Sequence, residues 1–155
     1  MIPISRWLGA LATIAILSAC SGGASDNQSA TTNRIEYKAT LDGQQEAPPV
    51  MTAGSGSGTI FLDRATGRLF WDISIDGLSS PVTAAHLHGP AGPGVAADVQ
   101  VPLEVAASSP QRISGQAQLT DEQMRQVLSG LWYVNIHTEQ HPDGEIRGQV
   151  ENAGM

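Results

Sequence analysis

The fold class is decided by a stretch that reads GTIFLDRATGRLFWDISID, residues 58–76. Its second half alternates between two faces, and one face carries only apolar side chains: Leu69, Trp71, Ile73 and Ile75. This period of two is typical of a β-strand with one face in a hydrophobic core. The short segment 64–67 between the two halves ends in Gly67. Residues 58–63 and 68–76 are therefore predicted to form an antiparallel hairpin.

Similar segments recur on either side of this hairpin. Apolar side chains alternate with polar ones over residues 35–41. The other candidate strands are separated by turns rich in glycine and proline, and they are 83–88, 99–103, 112–119, 131–137 and 145–150. About eight short strands with such turns predict an all-β domain, an antiparallel Greek-key sandwich or barrel.

One helix and one glycine-rich stretch interrupt this pattern. Thr120 and Gln123 have the spacing of a capping box, so a short helix is predicted at 121–129. Residues 54–58, GSGSG, lack the lysine and the helix that follow a phosphate-binding loop. We expect them to form a flexible loop that leads into the strand at 58–63.

The amino terminus has the build of an export signal. Arg6 precedes a mainly apolar run at 7–17, which as a helix would rise only about 16 Å and is too short to span a bilayer. The run ends in Leu17-Ser18-Ala19-Cys20, which resembles the lipobox of bacterial lipoproteins. That resemblance implies removal of residues 1–19 and a diacylglycerol on Cys20. The alternative is an ordinary secretory signal with a chance cysteine after it.

The chain after the signal divides into a tether and one domain. Residues 20–33 hold no large apolar side chain and are predicted to be a lipid-anchored flexible tether. Residues 34–152 have the length of a single domain. We therefore expect a protein anchored to a membrane through the lipid on Cys20, in the extracytoplasmic cell envelope. Ser21 after the cysteine favours the outer membrane where the host has one.

Charge argues against nucleic acid as a partner. The chain carries a formal net charge of -7, and its few basic residues are scattered along the sequence. Binding to nucleic acid would call for a clustered basic face.

Three segments together resemble the CHRD domain, a family that takes its name from chordin and is frequent in bacterial secreted proteins. The segments are LDGQQEAPPV at 41–50, TAAHLHGPAGPG at 83–94 and LWYVNIHTEQHPDGEIRGQV at 131–150. The resemblance spans nearly the whole of the domain at 34–152. It implies the domain type, and it assigns no biochemical activity.

All four histidines lie in two of these segments: His86, His88, His137 and His141. On a strand, His86 and His88 project from one face. In the strand at 131–137 the apolar side chains share one face, which leaves Tyr133, Asn135 and His137 on the other. If the two strands pair, the imidazoles can converge on one ion, and a set of neutral imidazoles suits copper or zinc. The direction of His141 is not fixed by the sequence, because residues 141–144 read as a loop.

Two other roles for the histidines stay open. They can be structural, with hydrogen bonds to backbone carbonyls or carboxylates that brace loops, and Glu46 and Glu145 are candidates for such bracing. Together with Tyr133 and Asn135, these carboxylates can instead orient ligand histidines by contacting the side of the ring that does not face the metal. A catalytic or sensing role lacks a nucleophile in a suitable setting, so we expect a protein that is not an enzyme.

Two functions follow from these alternatives. The first is an envelope module that binds copper or zinc through His86, His88, His137 and His141. The second is an interaction or adhesion module that binds an envelope protein or a polysaccharide, with structural histidines.

Overall fold

A computed structural model describes residues 33–154 of this chain. The predicted signal at 1–19, the lipidation site Cys20 and the tether up to residue 32 lie outside the described residues. Within residues 33–154, no helix is long and apolar enough to cross a membrane.

The described chain is all-β in class, as predicted, with nine strands and one short helix. Its strands are β1 (Arg34–Asp42), β2 (Ser55–Asp63), β3 (Arg68–Asp76), β4 (Val82–His88), β5 (Val99–Leu103), β6 (Arg112–Gln118), β7 (Tyr133–Thr138), β8 (Ile146–Gln149) and β9 (Glu151–Asn152). A 3-10 turn, Gly43–Gln45, follows β1, and one helix, α1 (Asp121–Leu128), lies between β6 and β7. The helix begins with the capping box predicted for Thr120 and Gln123.

The strands form one antiparallel sheet that nearly closes into a barrel. Their order is β5-β4-β7-β8-β1-β2-β3-β6, and β9 pairs with β1. The two edge strands, β5 and β6, contact each other across the remaining seam. The predicted hairpin is β2-β3, in which Asp63 pairs with Arg68.

The inward faces of the strands form the hydrophobic core. Trp71, Trp132, Val134 and Ile136 are buried in it, as the alternation predicts. Val127 of α1 joins the same core. The helix is also tied to the barrel by the indole Nε1 of Trp132, which donates a hydrogen bond to Gln126 Oε1 at 3.0 Å.

The glycine-rich stretch is part of a strand, and the prediction of a flexible loop was wrong. Residues 55–58 belong to β2 and pair with β3 along their whole length. A Cβ on Gly56 would lie 3.0 Å from the carbonyl oxygen of Ser74 and 3.1 Å from Cγ2 of Ile75. Glycine therefore marks a place where neighbouring strands leave no room for a side chain.

The outward face of β4, β7 and β8 is covered by two loops, although alternation alone suggested a half-exposed polar face. Residues 43–54 and 89–98 fold over it. Arg147 Nη2 donates to the carbonyl of Gly92 at 3.0 Å, and Gln149 Nε2 donates to the carbonyl of Ala91 at 2.9 Å. As a result, the outward side chains of Tyr133, Asn135, Arg147 and Gln149 are buried. The domain thus has a second interior, and that interior is polar.

Candidate metal centre

Antiparallel pairing of β4 with β7 brings three histidines together. His86 pairs with Asn135 and His88 with Tyr133, while His137 lies one step further along β7, opposite Ala84. All three imidazoles project from the covered outward face. One ring nitrogen from each lies within 4.8 Å of the other two.

His86 and His137 make the closest contact of the cluster. Nδ1 of His86 lies 3.1 Å from Nε2 of His137, and the two ring centroids are 4.9 Å apart. The His88 ring centroid is 5.4 Å from that of His86 and 6.0 Å from that of His137.

Backbone carbonyls fix the tautomers of two of the rings. Nδ1 of His88 lies 2.9 Å from the carbonyl oxygen of Ala97, and Nδ1 of His137 lies 2.9 Å from that of Pro142. Because a carbonyl can only accept, each Nδ1 carries the proton, and in the neutral ring each Nε2 keeps a lone pair. The hydrogen bond between His86 and His137 must then be donated by His86 Nδ1.

His88 has an unsatisfied nitrogen in the interior. Its Nε2 is fully buried and has no hydrogen-bond partner among the described residues. A buried acceptor without a partner costs about 1–3 kcal/mol. A cation at this position would remove that cost.

Burial keeps two of the imidazoles neutral. It lowers the pKa of His86 below its ordinary value, and the charges that His137 and His88 would carry lower it further. Burial also lowers the pKa of His88, against the opposing effect of the Ala97 carbonyl. Both rings are therefore in the unprotonated state that metal ligation requires at neutral pH.

Tyr133 supports His88 in two ways. Its ring stacks on the His88 imidazole, with centroids 5.0 Å apart and planes inclined by 6°. Its hydroxyl oxygen accepts a hydrogen bond from the Ala97 amide at 3.0 Å, and the carbonyl of Ala97 in turn accepts from His88. The Arg147 guanidinium lies 3.5 Å from the centroid of the same ring. Because β4 and β8 flank β7, Tyr133 lies between His88 and Arg147.

Glu46 and Asn135 are buried under the same loops as the histidines. Neither residue has a hydrogen bond to an imidazole within residues 33–154. Glu46 Oε1 and Asn135 Oδ1 are both buried without a hydrogen-bond partner in this range. Burial raises the pKa of Glu46 to about 7, although the charge of Arg147 acts in the opposite direction.

Glu145 braces loops rather than imidazoles. Its carboxylate accepts hydrogen bonds from the hydroxyls of Thr52, Ser79 and Thr138 and from the amide of Ser79, and it contacts no histidine in the described chain. His141 is not in the cluster. Its backbone carbonyl accepts from the amides of Thr138 and Gly144, and this closes the loop that follows β7.

Comparisons with known proteins identify the family of this domain. The family model described as the CHRD domain matches residues 37–150. The chain belongs to the CHRD domain family. It is also 31% identical over 123 residues to chordin of Danio rerio, a match that covers 76% of this chain and 13% of chordin. The chain thus spans only a small part of that protein. No solved structure matches it significantly.

Several residues that shape the site in this CHRD domain were missed by sequence reasoning. The carbonyls of Ala97 and Pro142 orient His88 and His137, and a backbone group leaves no signal in the side-chain pattern. Arg147 and Gln149 alternate with Ile146 and Gly148 on β8, so their outward direction was readable. Their burial was not, because it depends on loops from distant parts of the chain.

Proposed function

We propose that this CHRD domain binds a copper or zinc ion through His86, His88 and His137. The observation that carries the proposal is the buried, unpartnered Nε2 of His88 beside two further imidazoles. Two nitrogens that each lie about 2 Å from a tetrahedral ion are about 3.3 Å apart. His86 Nδ1 and His137 Nε2 lie 3.1 Å apart, close to this spacing, so an ion can replace the hydrogen bond between them once the His86 proton moves from Nδ1 to Nε2.

The cluster has the character of an exchangeable site. Only His88 is fully buried, while His86 and His137 are partly exposed to solvent. Three protein ligands leave a fourth position for water or an incoming ligand, whereas structural zinc sites are closed by four protein ligands. Such a site suits capture, buffering or delivery of an ion in the cell envelope.

The experiment is a titration of the full-length protein with Zn²⁺ and Cu²⁺ by calorimetry, with thermal or urea unfolding in parallel. A metal present at about 100 times its dissociation constant should stabilise the wild type by about 2.7 kcal/mol. His86→Ala and His88→Ala should abolish this gain. His141→Ala is the matched control, since it removes the one histidine outside the cluster, and it should keep the gain.

The pH dependence gives a second readout. Protons compete with the metal for imidazole nitrogens, so the affinity falls in acid. Because burial lowers the pKa of His86 and His88, the loss should begin below the pH of about 6.5 at which an exposed histidine titrates. Wild-type binding no tighter than that of a variant in which His86, His88 and His137 are all replaced by alanine would overturn the proposal.

A structural role for the histidines is the second candidate, and the carbonyl contacts favour it. His88 and His137 each tie a loop to the sheet through Nδ1. In an interaction module of this kind, each alanine variant would have a lower melting temperature than the wild type in the absence of metal. Adding metal would not raise the melting temperature of the wild type. The two candidates therefore predict opposite results in the same experiment.

The proposed location is the extracytoplasmic face of a membrane, with the domain held by a lipid on Cys20. The sequence Leu17-Ser18-Ala19-Cys20 supports this, as does membership of a domain family that occurs in extracellular proteins such as chordin. Metabolic labelling with a tagged fatty acid should mark the wild type and leave Cys20→Ser unmarked. An unlabelled wild type would refute the anchor and leave the metal proposal intact.

A further inference from the structure

A groove of about 550 Å³ lies on the covered face, away from the histidine cluster. Its sides are formed by the loop after β1 and by the loop between β4 and β5, which contribute Pro48, Pro49 and Pro93. Its floor includes side chains of β8. Small-molecule sites in proteins typically enclose about 300–1,000 Å³, so the groove has the size of a binding site.

Three polar side chains of the floor are deeply buried. The exposed fraction is 2% for Arg147, 7% for Glu46 and 7% for Gln149. Polar and charged groups are rarely buried to this degree unless their hydrogen-bonding groups are satisfied.

These side chains keep unused hydrogen-bonding capacity. Within residues 33–154, the Arg147 guanidinium donates one hydrogen bond, to Gly92, which leaves most of its N–H groups without a protein acceptor. Gln149 Nε2 donates to the carbonyls of Ala91 and Gly130, while its Oε1 has no partner in the described chain. Glu46 Oε1 is also without one there. The floor therefore holds N–H groups of Arg147 without a protein acceptor and two buried oxygens without a donor.

The charges restrict the class of ligand. Arg147 and Glu46 both line the groove, and burial raises the pKa of Glu46 to about 7, so Glu46 is only partly ionised at neutral pH. An anion would approach a protein of net charge -7, and a cation would meet the Arg147 guanidinium. A neutral ligand whose hydroxyls both donate and accept fits this floor, and the proline rings offer apolar surface to its C–H groups.

We propose that this groove binds a neutral saccharide of one to three sugar units. Sugar hydroxyls would accept from Arg147 and, where they displace the groups that cover Gln149 Oε1 and Glu46 Oε1, donate to these buried oxygens. The proposal is independent of the metal centre, because none of the three histidines lines the groove.

The test uses the full-length ¹⁵N-labelled protein with a chelator present, so that metal binding plays no part. Cellobiose, maltose and N,N′-diacetylchitobiose are the neutral probes, and digalacturonate and spermidine are the charged ones. At least one neutral disaccharide should shift the side-chain N–H resonances of Arg147 and Gln149 in a saturable way, with a dissociation constant of about 1 mM or tighter.

Two proline variants locate the site. Pro93→Trp fills the groove from an exposed position on its side and should weaken binding at least about tenfold. Pro110→Trp is the matched control, since Pro110 is also exposed but lines a separate cavity beside β3 and β4. Glu46→Gln should keep the fold and weaken binding less than Pro93→Trp.

Three results would overturn the saccharide proposal: no saturable shift with any neutral probe, tighter binding of either charged probe, or equal affinity for Pro93→Trp and Pro110→Trp. Failure of the metal titration has no bearing on these outcomes.

Discussion

Glu145→Gln should destabilise the domain by about 2–3 kcal/mol at neutral pH. The carboxylate is fully buried and joins three separate segments of the chain. Its Oε1 accepts from the Thr52 hydroxyl at 2.6 Å and the Ser79 amide at 2.8 Å. Its Oε2 accepts from the hydroxyls of Ser79 and Thr138, both at 2.7 Å.

The magnitude follows from these four hydrogen bonds. An amide would place its NH₂ group at the Oε2 position, where both neighbours are hydroxyls that can rotate and accept. The Ser79 backbone amide can only donate, so the amide oxygen of the variant must occupy the Oε1 position. A hydrogen bond to a charged group contributes about 1 kcal/mol more than a neutral one, which gives a loss of about 4 kcal/mol over four bonds. The glutamine variant no longer buries a full charge, and this offsets about 1–2 kcal/mol of the loss.

The assay is urea unfolding of the full-length wild type and variant at two pH values. The hydroxyl and amide donors hold the pKa of Glu145 below its ordinary value, although burial acts to raise it. A lowered carboxyl pKa stabilises the fold above the ordinary value of 4.5, and this contribution is lost as the pH falls through the folded-state pKa. The difference in unfolding free energy between wild type and variant should therefore become smaller in acid.

Glu139→Gln is the matched control, because Glu139 follows β7 and is exposed. It should change stability by less than about 0.5 kcal/mol. A loss below about 1 kcal/mol for Glu145→Gln at pH 7, or a gap that does not change with pH, would refute the reasoning.

Two further predictions concern the covered face. Burial raises the pKa of Glu46 to about 7, so its protonated form stabilises the fold below 4.5 and this contribution is lost as the pH rises through 7. Relative to wild type, Glu46→Gln should therefore gain up to about 3 kcal/mol between pH 5 and pH 9 in urea unfolding, and a constant difference would contradict this. Tyr133→Phe removes the hydroxyl that accepts from the Ala97 amide, which should cost about 1–2 kcal/mol and, by loosening the support of His88, weaken zinc binding about tenfold in calorimetry. Unchanged zinc affinity in a variant that is less stable would show that Tyr133 does not position His88.

The fold could be predicted largely because strand alternation is a local property. Each strand with one apolar face was readable from its own residues, as in β3, where the buried residues are those of the predicted apolar face, Leu69, Trp71, Ile73 and Ile75. The exception was the start of β2. A strand whose inward positions are glycines has no apolar alternation, so Gly56 and Gly58 gave no strand signal.

The histidine cluster was predictable for the same reason, and its surroundings were not. Alternation placed His86 and His88 on one face, and the pairing of β4 with β7 brought His137 beside them. Alternation assigns a side chain to a face, but it does not say what covers that face. The sequence left backbone carbonyls and carboxylates open as hydrogen-bond partners of the histidines, and the observed partners are the carbonyls of Ala97 and Pro142.

One glycine in the sequence is related to the covered face. Gly89 directly follows His88, and in the sequence alone a glycine at this place is explained by a turn. In the structure, a Cβ at this position would lie 2.3 Å from Cδ1 of Trp132, so glycine is required where the chain leaves β4 and passes against the residue before β7. The loop that begins at this close contact contains Ala97, whose carbonyl accepts from His88, and Gly92, whose carbonyl accepts from Arg147. In this chain, Gly89 therefore marks where the loop that covers His88 begins, since no larger residue fits against Trp132 at this position.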